Sequence, residues 1–168
     1  MKGYLANSLF SSADQMFNRY LAEKIREALP DLDLYVPQEN EAINDKSQYA
    51  DSIMIFDGDN HYLDEADLLI AVIDGVEIDA GVAMELGRFI TKKELWEKPR
   101  YVYGLYTDVR QHGADNDKKI NALINDPAEN QFMYRNLYVI GGIKKHGKLC
   151  RSVEELIHVL KKDHGNEK

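Results

Sequence analysis

Residues 67–74, DLLIAVID, constrain the fold of this chain more than any other stretch. Six apolar residues stand between two acids with no alternation of character. A strand with one face in water alternates apolar and polar side chains, so an unbroken run fits a strand covered on both faces. Such strands belong to parallel sheets that lie between two layers of helix. The residues after it, GVEID, read as a loop, and AGVAMELGRFITKKEL, 80–95, as a helix.

The rest of the chain repeats this alternation. GYLANSLF holds strand 1, and SSADQMFNRYLAEKIREALP a helix with a capping box from Ser12 to Gln15. Phe17, Leu21, Ile25 and Ala28 share one face of that helix, and Pro30 ends it. DLYVP is strand 2, and 47–66 a helix interrupted in character by Gly58 and a group of acids. RYVYGLY is strand 4, 107–117 a polar loop, KKINALIN a short helix and NLYVIGGI strand 5. SVEELIHVLKK closes the chain as an amphipathic helix with Val153, Leu156, Ile157 and Leu160 on one face. Alternating strands and helices predict a single α/β domain over 1–162, with a tail at 163–168 that frays. The expected architecture is doubly wound and flavodoxin-like: a five-stranded parallel sheet in the order 2-1-3-4-5 with helices on both faces. Ligands of such sheets bind beyond the carboxyl ends of the strands, where the strand order reverses. That rule puts the loop after GYLAN and the loop DGVEIDAG in one crevice.

Several function classes are excluded or disfavoured by composition. The 168 residues carry a formal net charge of −8, which repels phosphate backbones and argues against a nucleic-acid partner. No apolar run approaches the ~18 residues a membrane span needs, and the N-terminus lacks the apolar core of a signal peptide. The single cysteine, Cys150, has no partner for a disulfide and no spacing that suits zinc, so a reducing cytoplasmic setting is expected. DGDNHYLDEADL starts like a calcium-binding loop but carries Tyr62 where glycine is required and Leu68 where glutamate is required. There is no dinucleotide fingerprint, phosphate-binding loop or nucleophile elbow. A receiver domain is disfavoured because LANS, at the end of strand 1, offers no acidic pair for magnesium. The five histidines fall in loops or on helix surfaces.

The crevice does hold acids. Asp79 and Glu85 follow the buried strand, among the small residues Ala80, Gly81 and Ala83, which leave room for a ligand. Gly81 and Met84 are therefore counted with the substrate-binding positions. A carboxylate near a helix start is expected to stay ionised, and an ionised carboxylate in a dry pocket serves as nucleophile or base. Asp59 approaches the same edge from upstream. Two carboxylates in different environments are the usual equipment for cleaving a glycosidic bond. Each residue also has a plainer reading: Glu85 as a solvated helix residue, Asp79 as a helix N-cap, and DGDN as a turn.

Tyr4 in GYLANSLF, Asp59 in DGDN, the block DLLIAVIDGVEIDAGVAMELG and the late MYRNLYV together resemble the nucleoside 2-deoxyribosyltransferases. The resemblance spans strand 1 to strand 5. It implies transfer of 2-deoxyribose between purine and pyrimidine bases by a retaining double displacement, with no metal or organic cofactor. It implies that Glu85 is the nucleophile, that Tyr4 orients it, and that Asp59 and Asp79 form the acidic pair around base and sugar. Phe10 matches an aromatic residue near the base. Asn136 and Tyr138 match positions that a neighbouring subunit contributes, so a homo-oligomer between dimer and hexamer is implied. The partners would be nucleosides and free nucleobases, not nucleic acid or membrane. Two departures stand out. The chain continues past strand 5, where some members end in a tyrosine whose carboxylate reaches the site. Glu41 stands where some members carry a base-reading glutamine, and a carboxylate cannot donate as an amide does. A hydrolase of deoxynucleosides or their 5′-monophosphates is the alternative, with a phosphate held near Ser8, Ser11 and Ser12. A non-catalytic nucleoside-binding module is a third reading.

Overall fold

The computed structural model of the chain describes residues 1–44, 50–95, 100–109, 117–126, 128 and 135–165. The apolar run forms β3, Leu68–Val72, buried at every position. On one side it pairs in parallel with β1, Lys2–Ala6, and on the other with β4, Tyr101–Leu105. β2, Asp33–Tyr35, extends the sheet beyond β1, and β5, Gly147–Cys150, extends it beyond β4. The order is β2-β1-β3-β4-β5, with every pairing parallel.

Helices cover both faces. Leu5, Ile70 and Val72 pack with Leu21 and Ile25 of α1, Ser12–Ala28, and with Leu156 and Leu160 of α7, Val153–His164. Tyr4, Leu69 and Ala71 point the other way. They meet Leu63 of α3, Ser52–Glu65; Val82, Leu86 and Phe89 of α4, Ala80–Leu95; and Ile143 of α6, Leu137–His146. Two short helices, α2 (Glu41–Asn44) and α5 (Asp117–Ile124), lie between these elements in sequence. No helix among the described residues is long and apolar enough to cross a membrane.

Three local expectations are corrected. The capping box of α1 runs from Ser11 to Asp14, one residue earlier than expected: Asp14 N–H donates to Ser11 Oγ at 3.0 Å, and Ser11 N–H to Asp14 Oδ2 at 3.0 Å. NLYVIGGI is not strand 5 but the start of α6. The Asn136 side-chain oxygen caps it by accepting from Tyr138 N–H at 3.0 Å and Val139 N–H at 3.2 Å. Val139, Ile140 and Ile143 then turn to the core at helical spacing, so position on the sheet overrides their preference for strands. The last strand is the less apolar GKLC, an edge strand. Finally, α7 continues through Asp163 to His164, where Tyr103 Oη donates to Asp163 Oδ2 at 2.9 Å and lies 2.6 Å from His164 Nε2.

One polar cluster fixes α3 against α4. Arg88 grips Asp64 through two bonds of 2.9 and 2.8 Å, and Lys92 joins the same carboxylate. Arg100, 1% exposed, lies over the Phe89 ring at 5.1 Å and donates to the carbonyls of Leu63 and Asp64 at the end of α3. A buried guanidinium tolerates such a place because it is hydrogen-bonded.

The passage from α6 into β5 leaves no room for a side chain. A Cβ at Gly147 would lie 1.9 Å from the Val102 carbonyl oxygen, across the β4–β5 pairing. Gly147→Ala is therefore expected to destabilise the fold by about 3 kcal/mol or more, beyond ordinary overpacking. Urea denaturation measures it; a loss below about 1 kcal/mol would mean that β5 shifts freely.

Candidate active site

The site is built where β1, α3 and α4 meet on one face of the sheet. Tyr4 projects from the middle of β1 and is 0% exposed. A buried hydroxyl needs a partner, and Tyr4 Oη donates to Glu85 Oε1 at 2.6 Å. Glu85 sits in the second turn of α4, between exposed Met84 and buried Leu86. Asp59 faces the pair from α3. Its Oδ1 accepts a 3.1 Å bond from Tyr35 Oη, and that oxygen in turn accepts from Asn40 Nδ2 at 3.0 Å. The Tyr35 ring stacks on Tyr62 with centroids 3.8 Å apart and tilts against Tyr4 at 5.3 Å.

Charge is expensive in this setting. Burial first, with the charges of Asp59 and Asp79 beside it, pushes the Glu85 carboxyl up to about 7 against the opposing Tyr4 hydrogen bond. Burial likewise raises Asp59 above the usual carboxylate range, against the bond from Tyr35. Burial first, then the neighbouring charges of Glu85 and Asp59, hold Tyr4 protonated as a donor. The expectation that the helix start keeps Glu85 ionised is thus corrected. The dipole acts chiefly in the first turn, whereas desolvation and two acids act directly on Glu85.

Asp79 takes the place its plainer reading gave it. Its Oδ1 accepts from Val82 N–H at 3.1 Å and its carbonyl from Ala83 N–H at 2.9 Å, so it caps α4. It also lines a cleft of about 430 Å³ with Asn7 and Ser8 after β1, and with Asp74, Gly75, Glu77 and Thr107. The two loops that the strand-order rule placed together therefore share one crevice. Gly81 belongs to this cap: a Cβ there would stand 3.0 Å from Asp79 Oδ1.

Both loops are pinned. Asn18, 3% exposed, accepts from Asn7 Nδ2 at 2.7 Å and donates to Ser8 O and Gln38 Oε1, each at 3.0 Å. Thr107 N–H and Oγ1 donate to Asp74 at 2.6 and 2.5 Å. Arg135 lies over the Tyr106 ring at 4.3 Å, donates to Gly75 O at 2.7 Å and faces Asp108 at 3.5 Å.

The chain thus brings Tyr4, Asp59 and Glu85 together, with Asp79 on the adjoining cap. It does not bring Phe10, Asn136 or Tyr138 to them: Phe10 and Tyr138 are 82% and 92% exposed, and the Asn136 carbonyl is committed to α6. Tyr35, Asn40, Asn18 and Arg135 were not anticipated. Tyr35 in β2 is the register partner of Tyr4 in β1, a relation that appears only in the assembled sheet.

Two carboxylates in different environments, one of them held by a buried tyrosine, suit the cleavage of a glycosidic bond. The family profile of the nucleoside 2-deoxyribosyltransferases matches residues 4–123, and the chain belongs to that family. A conserved protein from Enterococcus faecalis V583 has a crystal structure 49% identical to this chain, with a TM-score of 0.84 over 96% of this chain and 98% of that one. A 2-deoxyribosyltransferase from Leishmania mexicana shares the fold at 17% identity, with a TM-score of 0.57 over 97% and 98% of the two chains. An uncharacterised protein of Ureaplasma parvum serovar 3 is 30% identical over 126 residues, covering 70% of this chain and 77% of that protein.

The raised Glu85 has a stability consequence. Its ordinary value is 4.5 and its folded value about 7. Between these the folded state holds a proton that the unfolded chain has lost, so this group's contribution to stability falls as pH rises through that window and is flat above it. Glu85→Gln is expected to stabilise the protein by about 1–3 kcal/mol at pH 8 and hardly at all at pH 4. Urea titrations at the two pH values test this; equal effects at both would show that Glu85 is not strained by ionisation.

Proposed function

We propose that this protein moves 2-deoxyribose from one nucleobase to another through an ester of the sugar on Glu85. The observation that carries the reading is the 2.6 Å bond from buried Tyr4 to Glu85, with the raised carboxyl of Asp59 alongside. Tyr4 holds Oε1, which leaves Oε2 to bond to the anomeric carbon as the bond from that carbon to the base nitrogen breaks. Asp59 gives its proton to the departing base, since an unprotonated base is a poor leaving group. The transition state is positive at the sugar, so ionised Glu85 stabilises it before bonding. The second base then attacks the same carbon, Glu85 leaves as a carboxylate, and Asp59 recovers a proton. Two inversions retain the configuration. Asp79 fixes the start of α4 and closes the sugar end of the site.

The productive pair carries one proton, on Asp59, and one charge, on Glu85. Tyr4 favours that arrangement, because its hydrogen bond is strongest to an ionised Glu85. Gly81 and Met84 are assigned to substrate contact. Asn136 and Tyr138 are assigned to the site of a neighbouring copy in a homo-oligomer, a dimer or larger assembly up to a hexamer. Exposed Leu137 and Tyr138 on α6, and Ile53, Met54, Ile55 and Phe56 on α3, support such an assembly. The setting that fits is nucleoside salvage in the cytoplasm, with no cofactor.

A 5′-monophosphate substrate is disfavoured. The amino end of α1, where its phosphate would sit, already carries the carboxylate of Asp14, which accepts from Ser11 N–H at 3.0 Å and Ser8 Oγ at 3.2 Å. Incubation of deoxyinosine with adenine is expected to yield deoxyadenosine of retained configuration, and sugar release without an acceptor base should be slow. Glu85→Ala is expected to reduce exchange by about a thousandfold or more. A loss within roughly tenfold would remove Glu85 from the nucleophile role.

A further inference from the structure

We propose that Tyr35, held by Asn40, is a positioning residue for Asp59: its hydroxyl occupies Oδ1 and leaves Oδ2 as the oxygen that carries the proton to the departing base. This rests on the transferase reading. The geometry is directional. Asn40 Nδ2 is a donor only, and it points at Tyr35 Oη from 3.0 Å. The Tyr35 hydrogen is thereby turned away from Asn40 and toward Asp59 Oδ1, 3.1 Å distant. A proton on Oδ1 would collide with it, so the acid proton resides on Oδ2.

The ring cannot drift out of this role. Tyr62 stacks on one side at 3.8 Å with an interplanar angle of 10°, and Tyr4 packs at 5.3 Å. Tyr4 and Tyr35 are register partners on adjacent parallel strands, so β1 and β2 deliver one tyrosine to each carboxylate. The groups that face Asp59 are Tyr35 from β2, Tyr4 from β1 and Glu85 from α4, while Asp79 acts on Glu85. The bond from Tyr35 draws the Asp59 carboxyl downward against burial. It keeps the group acidic enough to surrender its proton.

The test combines a titration with kinetics on the full chain. In Tyr35→Phe, which keeps the stacked ring, the Asp59 carboxyl followed by carbon-detected NMR is expected to titrate at higher pH than in the parent. Asp59→Asn assigns the signal. kcat for base exchange should fall roughly tenfold, KM should change little, and the alkaline limb of the pH profile should move upward. Asn40→Ala should shift Asp59 in the same direction by less. In an Asp59→Asn background Tyr35→Phe should cost nothing further. With an active parent, an Asp59 titration that Tyr35→Phe leaves in place, or an equal kcat loss from Tyr35→Phe in the Asp59→Asn background, would overturn the role of Tyr35 alone. A parent that transfers no sugar between bases would overturn the functional reading instead, whatever the titration shows.

Discussion

A tyrosine hydroxyl buried in a parallel sheet has to be satisfied, and so does a carboxylate pressed against that sheet. In this protein each satisfies the other. Tyr4 lies fully buried in β1, and Glu85 comes from α4 on the face above it. An apolar pair would pack as well at less cost, since a buried charge is costly unless bonded. The arrangement stores the acid in a state near its own neutralisation point. Much of the surrounding structure holds that contact in place. The α4 cap at Asp79 fixes where the helix starts, and the grip of Arg88 and Lys92 on Asp64 fixes α3, which carries Asp59, relative to α4, which carries Glu85. Arg100 anchors the end of α3 from the sheet side.

The same geometry gives two carboxylates two different environments. Their separate tyrosines do not make them equal. Glu85 receives its bond from a residue with no exposure, and Asp59 from a half-buried one that a side-chain amide also contacts. Burial raises both carboxyls, and the charge of Asp59 adds to the rise of Glu85. The proposed transfer needs an ionised nucleophile and a protonated acid together, and a carboxylate pair can supply both without a histidine.

The sheet order and the crevice were legible because they follow from rules that need little detail. An apolar run without alternation fixes a central strand, and alternating elements fix a parallel sheet, from which the switch point follows. The start of α4 at 80 was legible because small residues open it, and its body because an apolar stripe runs through it. NLYVIGGI misled because its β-branched and aromatic residues suit a strand, while the decisive feature, the Asn136 cap, is a single side chain. Tyr35 was passed over because DLYVP was read only as a strand, and cross-strand register appears only once the sheet is assembled. The ionisation of Glu85 was misjudged for a related reason: a helix dipole is readable from position, but desolvation depends on what covers the group.

The acids at the carboxyl edge of the sheet also bear on which sugars can enter. Asp14, Asp74, Glu77 and Asp79 all line the cleft beside the loops after β1 and β3. Asp74 is engaged by Thr107, and Asp79 by the amino end of α4. Ser11 and Ser8 hold Asp14 below the usual carboxylate range, so it stays charged at the amino end of α1. In many parallel sheets that helix end is where a phosphate binds, because its N–H groups are unpaired and its dipole is positive. Here the chain supplies the anion itself. A second negative group would have to displace Asp14 and face the remaining acids at close range, whereas a neutral sugar hydroxyl can accept or donate among them at no such cost. A cleft lined in this way disfavours a phosphorylated 5′ end and suits an uncharged one, in keeping with the nucleoside substrate proposed above.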